Sequence, residues 1–267
     1  GPRRACIRVS GWHGSGDARM FRYVARIHAW RGRPSIRVFY TFINDQQDAL
    51  MARIRKLELR FWARAAGGSW LSDSLPSGEP VSEARILQVD ENHYLKADEK
   101  HDLQIDEKHY FFNRNTAGRR GVAWGSAGGE QGGMAVGLRE FFQNWPKAIS
   151  RRRGCVRLEL CPELPPKLYD GKPLEEENKL YYQLRDGLHT FKVGVAKTHE
   201  FWVHYFPGKR DGERLDAFFE AAEDPLLATC EPAYVSSTKA AGEFPPADPE
   251  KYFGYDAWLD RALDAHL

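Results

Sequence analysis

Long apolar runs are missing from this chain of 267 residues. No stretch approaches the roughly 20 residues a membrane span requires, and mean hydropathy is −0.59. An excess of one charge is missing too. Thirty-nine basic residues face 37 acidic ones, for a net charge of +2, which argues against a dedicated nucleic-acid binder. Cysteine is scarce, at four residues, and no pair has zinc spacing. Cys155 and Cys161 bracket an alternating strand pattern that would hold their Cα atoms roughly 20 Å apart, too far for a disulfide. Four reduced, structural cysteines are the simplest expectation. No charged-then-apolar leader precedes the first strand pattern, and the compartment stays open.

Aromatic content is 13% and hydrophobic content 42%, enough for a substantial core in one large domain, or one domain and a fragment. The richest stretch is Gly194–Phe206, with one Lys, two His, one Glu and four aromatics in thirteen residues. Read as a strand, it places Val195, Lys197, His199, Phe201, Val203 and Tyr205 on one face and Ala196, Thr198, Glu200, Trp202, His204 and Phe206 on the other. Each face is polar at its N-terminal end and apolar at its C-terminal end. A core strand with one end emerging into a cleft has this pattern; a plain sandwich strand with wet tips is the alternative.

Period-two alternation recurs along the chain and predicts antiparallel sheet over 3–62, with strands at Phe21–Trp30, Ser35–Asn44 and Ile54–Trp62. Ser35–Asn44 is apolar on both faces towards its end and is expected to be central. The 66–83 segment, rich in Gly, Ser and Pro, reads as a loop, and the Gly-rich segment to Gly133 has no G-x-G-x-x-G or P-loop pattern, so phosphate cradling is not supported. Asp90-Glu-Asn-His93, Asp98-Glu-Lys-His101 and Asp106-Glu-Lys-His109 repeat with a period of eight. Their Asp-first tetrads suit β-turns. In a meander successive turns fall at opposite ends, so the three His do not converge and no metal site is expected. Further strands are expected at Met134–Phe142, Val156–Leu160 and Leu188–Phe206, the last as one bent strand or two. Glu213–Glu223 reads as a helix stopped by Asp224-Pro225. A linker follows to Pro249, then an amphipathic helix with Tyr255, Trp258, Leu259, Ala262, Leu263 and His266 on one stripe. The absent initiating Met and the uncapped last helix lead us to expect a fragment of a longer chain.

Three segments in order, Arg37–Asp45, Gly118–Trp124 leading to Arg139–Lys147, and Ala196–Glu200, resemble the exo-rhamnogalacturonan lyase-like proteins, polysaccharide lyase family 26 and its relatives. The resemblance implies a mainly β fold: an antiparallel, supersandwich-like β-sandwich over 1–206, a helix and linker over 207–249, and over 250–267 the first helices of an α/α toroid. The missing toroid and an N-terminal barrel would be supplied by the remainder of the polypeptide. It implies β-elimination beside a uronic acid in rhamnogalacturonan-type pectin, with an acidic polysaccharide or oligosaccharide as partner and neither nucleic acid nor membrane.

That chemistry needs a base, a neutraliser for the substrate carboxylate and an acid for the leaving oxygen. His199 is the candidate base. Lys197, two residues away on the same face, would hold the carboxylate and depress the His pKa. Arg139 and Asn144 would clamp the uronate, and Tyr182 or Tyr181 would be the acid. Trp145 and Glu200 complete the substrate-binding set, and Trp124 and Trp202 are further stacking candidates, with core burial expected for Trp202. No cofactor is required, although a structural or carboxylate-neutralising Ca2+ stays compatible. Two rival readings remain: a non-catalytic carbohydrate-binding or scaffold sandwich of a larger enzyme, and a glycoside hydrolase using Glu200 and Glu140 as its carboxylate pair.

Overall fold

The computed structural model describes the chain except residues 16–17, 47–48, 64–68, 72–82, 90–93, 99–122, 153, 165–167, 170–181, 241, 244 and 267. It falls into two compact units, Gly1–Asp224 and Pro225–Leu267. The first is an antiparallel β-sandwich. Its larger sheet has seven strands in the order β1-β2-β3-β15-β10-β9-β6, comprising Arg4–Ser15, Ala18–Trp30, Ser35–Ile43, Ala196–Pro207, Gly132–Leu138, Trp124–Gly129 and Ser69–Leu71. A five-stranded sheet has the order β5-β12-β11-β7-β8, comprising Leu57–Trp62, Cys155–Cys161, Lys147–Arg152, Glu83–Gln88 and Tyr94–Asp98. A three-stranded sheet joins β13, β14 and β4, at Tyr182–Arg185, Leu188–Lys192 and Met51–Ile54.

The core lies where the seven-stranded sheet meets the two smaller ones. Phe201 of β15 packs edge-on against Phe61 of β5, with ring centroids 5.6 Å apart. Phe21 and Phe42 of the large sheet enclose Phe191 of β14. Ile86, Leu87, Ile149, Val156 and Leu158 complete the core from the five-stranded sheet. Alternation explains which residues enter it. On β3, Val38, Tyr40 and Phe42 point inward while Arg37, Phe39 and Thr41 point outward.

The opposite, outward face of the large sheet carries helix α1, Gly212–Glu223. Asp211 caps it by accepting from the Arg214 amide at 3.1 Å. Small residues on β10 make room for it. A Cβ on Gly137 would fall 2.4 Å from the Phe219 ring, so the strand must be bare there. Phe219 stacks on Trp124, whose indole Nε1 donates to Asp216 at 2.7 Å.

Several expectations need correction. Ile54–Trp62 is not one strand: the polar pair Arg55-Lys56 breaks it, and β4 and β5 go to different sheets. The Gly-rich stretch before Gly133 forms β9 and the start of β10, whose flat residues permit close strand approach. The strand expected over Met134–Phe142 ends at Leu138, and Glu140 turns at φ 54°. Strand β11 was not foreseen, and Ser69–Leu71 is a strand inside an expected loop. Of the two arrangements expected for Leu188–Phe206, the two-strand one is present, split at a tight turn. Of the Asp-Glu repeats, the intervening strand Tyr94–Asp98 is present, while His93, His101 and His109 lie outside the described residues.

The second unit contains α2, Pro232–Thr238, unforeseen in the linker, and the expected terminal helix α3, Tyr255–His266. The described residues form no α/α toroid. No helix among them is long and apolar enough to cross a membrane.

Replacing Gly137 by Ala is expected to push α1 off the sheet and cost about 1–3 kcal/mol, as overpacking does. Gly137→Ala combined with Phe219→Leu should recover part of that loss. Denaturant unfolding of the two variants checks it, and an unchanged single variant would show that the helix does not need the bare strand.

Candidate binding site

Strand β15 sits between β3 and β10 and presents chemistry on both its faces. Its start is fixed by Asn44. The fully buried Asn44 side chain donates to the Phe191 carbonyl at 3.0 Å, while its backbone bonds Val195 and Gly194 at 2.9 and 2.7 Å. This pins the β14–β15 turn and sets the register that sends Lys197 and His199 inward.

On the inward face, His199 is 3% exposed, stacked on Phe42, and both its ring nitrogens are buried without a hydrogen-bond partner. Lys147 reaches the same place from β11, 2% exposed, and its Nζ donates to the Pro146 carbonyl at 3.1 Å. Lys197 lies within hydrogen-bond reach of Lys147. Burial, then the neighbouring Lys197 charge, pushes the Lys147 amine well below the usual lysine range. Burial therefore favours the neutral amine more strongly at Lys147 than at Lys197. Burial and the two lysines likewise push His199 well below its ordinary value. Burial pushes the Cys161 thiol up to about 11 and takes His189 down to about 4. Tyr40, raised by burial beyond the usual phenol range, donates to His13 Nε2, since His13 Nδ1 donates to the Phe21 carbonyl at 2.6 Å.

On the outward face, Arg37 forms a two-point pair with Glu200, at 2.7 Å for both contacts. Arg139 and the Trp202 indole Nε1 reach the same carboxylate at 3.3 and 3.2 Å. The Arg37 guanidinium lies over Phe39 and Trp202, and Trp202 stacks on Trp30 with centroids 6.0 Å apart. Arg4, Arg8, Arg22 and Arg26 continue this face across β1 and β2.

The structure thus divides the expected site. His199 lies buried in the interior, with Lys197 half-buried on the same face, and not on an outward strand end, so His199 is not a base facing an open cleft. Glu200 and Arg139 meet on the other side of the sheet, because successive strand residues point opposite ways. Asn144 does not join Arg139: its side chain donates to the Glu140 carbonyl at 3.1 Å, closing a turn. Trp145 precedes a cis proline and stacks on Tyr169. Tyr182 pairs with Phe191 at the start of β13, and Tyr181 lies outside the described residues. Trp124 is buried under α1 rather than exposed for stacking. Glu140 and Glu200 belong to one charge network in which Arg139 contacts both. Sequence reasoning missed Lys147, a lone lysine beside a proline, and Trp30 and Arg37, which alternation alone does not distinguish from ordinary surface. Among the described residues no group of three or more His, Cys, Asp or Glu is arranged to hold a metal.

No protein-family model matches the chain. It is 29% identical over 130 residues to the uncharacterized protein YetA of Bacillus subtilis, across 43% of this chain and 14% of that protein. The chain thus spans a small part of that relative's length. Solved structures similar to it include a "putative aldose 1-epimerase" from Klebsiella pneumoniae, 10% identical, with TM-score 0.43 over 84% of this chain and 56% of that one. Others are Slr1438 from Synechocystis, 12% identical, TM-score 0.35, over 78% and 63%, and a galactose mutarotase related enzyme from Lactobacillus acidophilus, 11% identical, TM-score 0.33, over 78% and 70%. At these values they carry no argument for an activity of this chain. The resemblance to rhamnogalacturonan lyases is corrected: no lyase family model matches, and the similar structures described by an activity are a putative aldose 1-epimerase and a galactose mutarotase related enzyme, not lyases. Lyase activity and a role in pectin degradation go with it, and the glycoside hydrolase alternative is likewise unmatched.

The buried lysine pair makes stability depend on pH. Unfolded, Lys147 titrates near 10.5, whereas burial holds its folded value well below that, so between the two values the unfolded state carries the extra proton. The unfolded state binds more protons, so stability rises with pH, by up to about 1.4 kcal/mol per pH unit for one proton. Above about pH 9 unfolded Cys161 ionises first and opposes the rise. Below the ordinary His value of 6.5 the depressed His189 and His199 add further acid loss. Urea unfolding as pH rises towards about 9 should show the positive slope, and Lys147→Met should flatten it.

Proposed function

We propose that the outward face of the seven-stranded sheet, over β1 to β3 and β15, is a binding platform for an anionic carbohydrate. One observation carries this reading: stacked Trp30 and Trp202 sit beside a field of arginines on a broad, open sheet face. Indole and phenyl faces suit the C–H faces of pyranose rings, and guanidinium forks suit carboxylates and hydroxyl pairs. Arg4, Arg8, Arg22, Arg26 and Arg37 stand on these three strands, while the carboxylates bonded to them are Glu200 and Asp45. Arg8 and Arg26, directly opposite each other, are both exposed. Such a surface attracts an acidic chain, and the attraction weakens with salt. Glu200 has a positioning role here. By holding Arg37 and Arg139 it keeps Trp202 in place beside Trp30. The sandwich would then be the glycan-contacting part of a longer polypeptide.

Calorimetry with a uronate hexasaccharide and with its carboxyl-reduced, neutral counterpart tests the proposal. Tighter binding of the acidic sugar is expected, declining with salt. Trp30→Ala should weaken binding of both sugars about tenfold, as loss of an aromatic contact worth about 1.4 kcal/mol does. Arg8→Ala with Arg26→Ala should weaken the acidic sugar selectively. Absence of binding to both sugars, or binding indifferent to Trp30, would overturn it.

A further inference from the structure

Strand β1 is an edge of the seven-stranded sheet: β2 pairs with one side of it, and among the described residues no strand pairs with the other. We infer that this edge is an interface on which a second copy of the chain docks, β1 against β1 in antiparallel register about Ile7.

Apolar continuity is the first support. Phe201, Val38, Ile27 and Ile7 stand opposite one another on successive strands, in one row along the inward face. The row starts in the core, where Phe201 and Val38 are buried, and ends in water, where Ile7 is 59% exposed. Val9, its neighbour on that face, is 42% exposed. A twofold axis at Ile7 would carry the row on into the other copy and cover both residues.

Backbone direction is the second. Arg3 accepts from the Arg31 amide at 3.0 Å. Odd-numbered residues from 3 to 11 therefore address β2, and Arg4, Cys6, Arg8 and Ser10 turn their N–H and C=O groups to the open side. No proline or lysine stands in Arg4–Ser15, and the register shift in the strand comes only after Trp12. A long edge without these guards recruits another strand.

Self-complementarity fixes the register. About Ile7, Cys6 faces Arg8 and Arg4 faces Ser10 as hydrogen-bonded pairs, while Ala5 faces Val9 and Ile7 meets its twin as close, non-bonded pairs. No like charges oppose. An axis at Arg8 would set that residue against itself, and one at Cys6 would set Arg4 against Arg8. An axis at Val9 would face Ile7 with Gly11 and run the pairing into the irregularity after Trp12. A ladder of about seven residues a side is well short of the roughly 20–30 of a standard interface, so the dimer is weak and concentration-dependent. Arginines on the outward face approach across the axis, and association tightens as salt screens them.

Sedimentation velocity on the whole chain tests this. The mass should rise from 30.6 kDa towards twice that value as concentration increases over about 1–100 μM, and further at high salt. Ile7→Lys should hold it at one chain with Tm within about 2 °C of the parent, since the side chain is largely in water. Cysteine cross-linking reads the register independently. Cys6→Ser with Cys230→Ser removes the exposed thiols. In that background Ile7→Cys should oxidise to a disulfide-linked dimer, its Cα atoms falling about 4.5 Å apart. Val9→Cys should not, with its twin roughly 14 Å away. A mass of one chain at every concentration, or a dimer that survives Ile7→Lys, would overturn the interface. Cross-linking at Val9→Cys as readily as at Ile7→Cys would overturn the register, and association that weakens with salt would overturn its apolar basis.

Discussion

Strand β15 is held on both edges, covered on its inward face and partly covered on its outward one, and this constraint governs the molecule. Pairing with β3 on one side and β10 on the other fixes its register over nearly its whole length. A slip of one residue would drive Glu200 and Trp202 into the core and expel His199 and Phe201. The Asn44 anchor at its start and the docking of α1 over its outward end resist such a slip from opposite ends. Outward Glu200 and inward His199 are therefore back to back on one strand, separated by the thickness of a sheet.

The two faces solve opposite electrostatic problems. Outside, Glu200 sits among Arg37, Arg139 and the Trp202 indole, where water still screens part of the charge and the carboxylate has donors enough for its oxygens. Inside, Lys147 and Lys197 meet beneath packed aromatics, where each charge costs desolvation and the second costs repulsion as well. The five-stranded sheet shows how a buried charge is handled when its partner is supplied by the fold. Glu159 is met by the Arg85 guanidinium and the Ser150 hydroxyl. At the lysine pair burial instead lowers both amines, Lys147 well below the usual lysine range.

Most of the β-sandwich was legible in alternation. Strands β2, β3, β12 and β15 and helices α1 and α3 follow from period two or period 3.6. The misses share a cause. Strands β6, β9 and β11 are short or rich in Gly and polar residues, and they form because neighbouring strands pair with them. Their own propensity is weak, so no local pattern announces them. For the site, Lys197 and His199 were legible as residues sharing a face, and Glu200 as residing on the other. The expected alliance of Asn144 with Arg139 failed because a left-handed residue, Glu140, turns the chain and Asn144 closes that turn.

From the sequence alone came the class of fold, antiparallel and mainly β, and the division of 196–206 into two chemically different faces. Both follow from backbone geometry, since side chains on a strand alternate whatever lies around them. Only the tertiary structure decided which face is interior. Depth depends on what packs above, and here the five-stranded sheet covers Lys197 and His199 while α1 covers only part of the opposite side. It also brought Lys147 to Lys197 from 50 residues earlier in the chain, and Arg37 to Glu200 from 163 residues away. Charges so distant along the chain become neighbours through sheet topology, and their pairing is set by long-range strand order that local pattern does not encode.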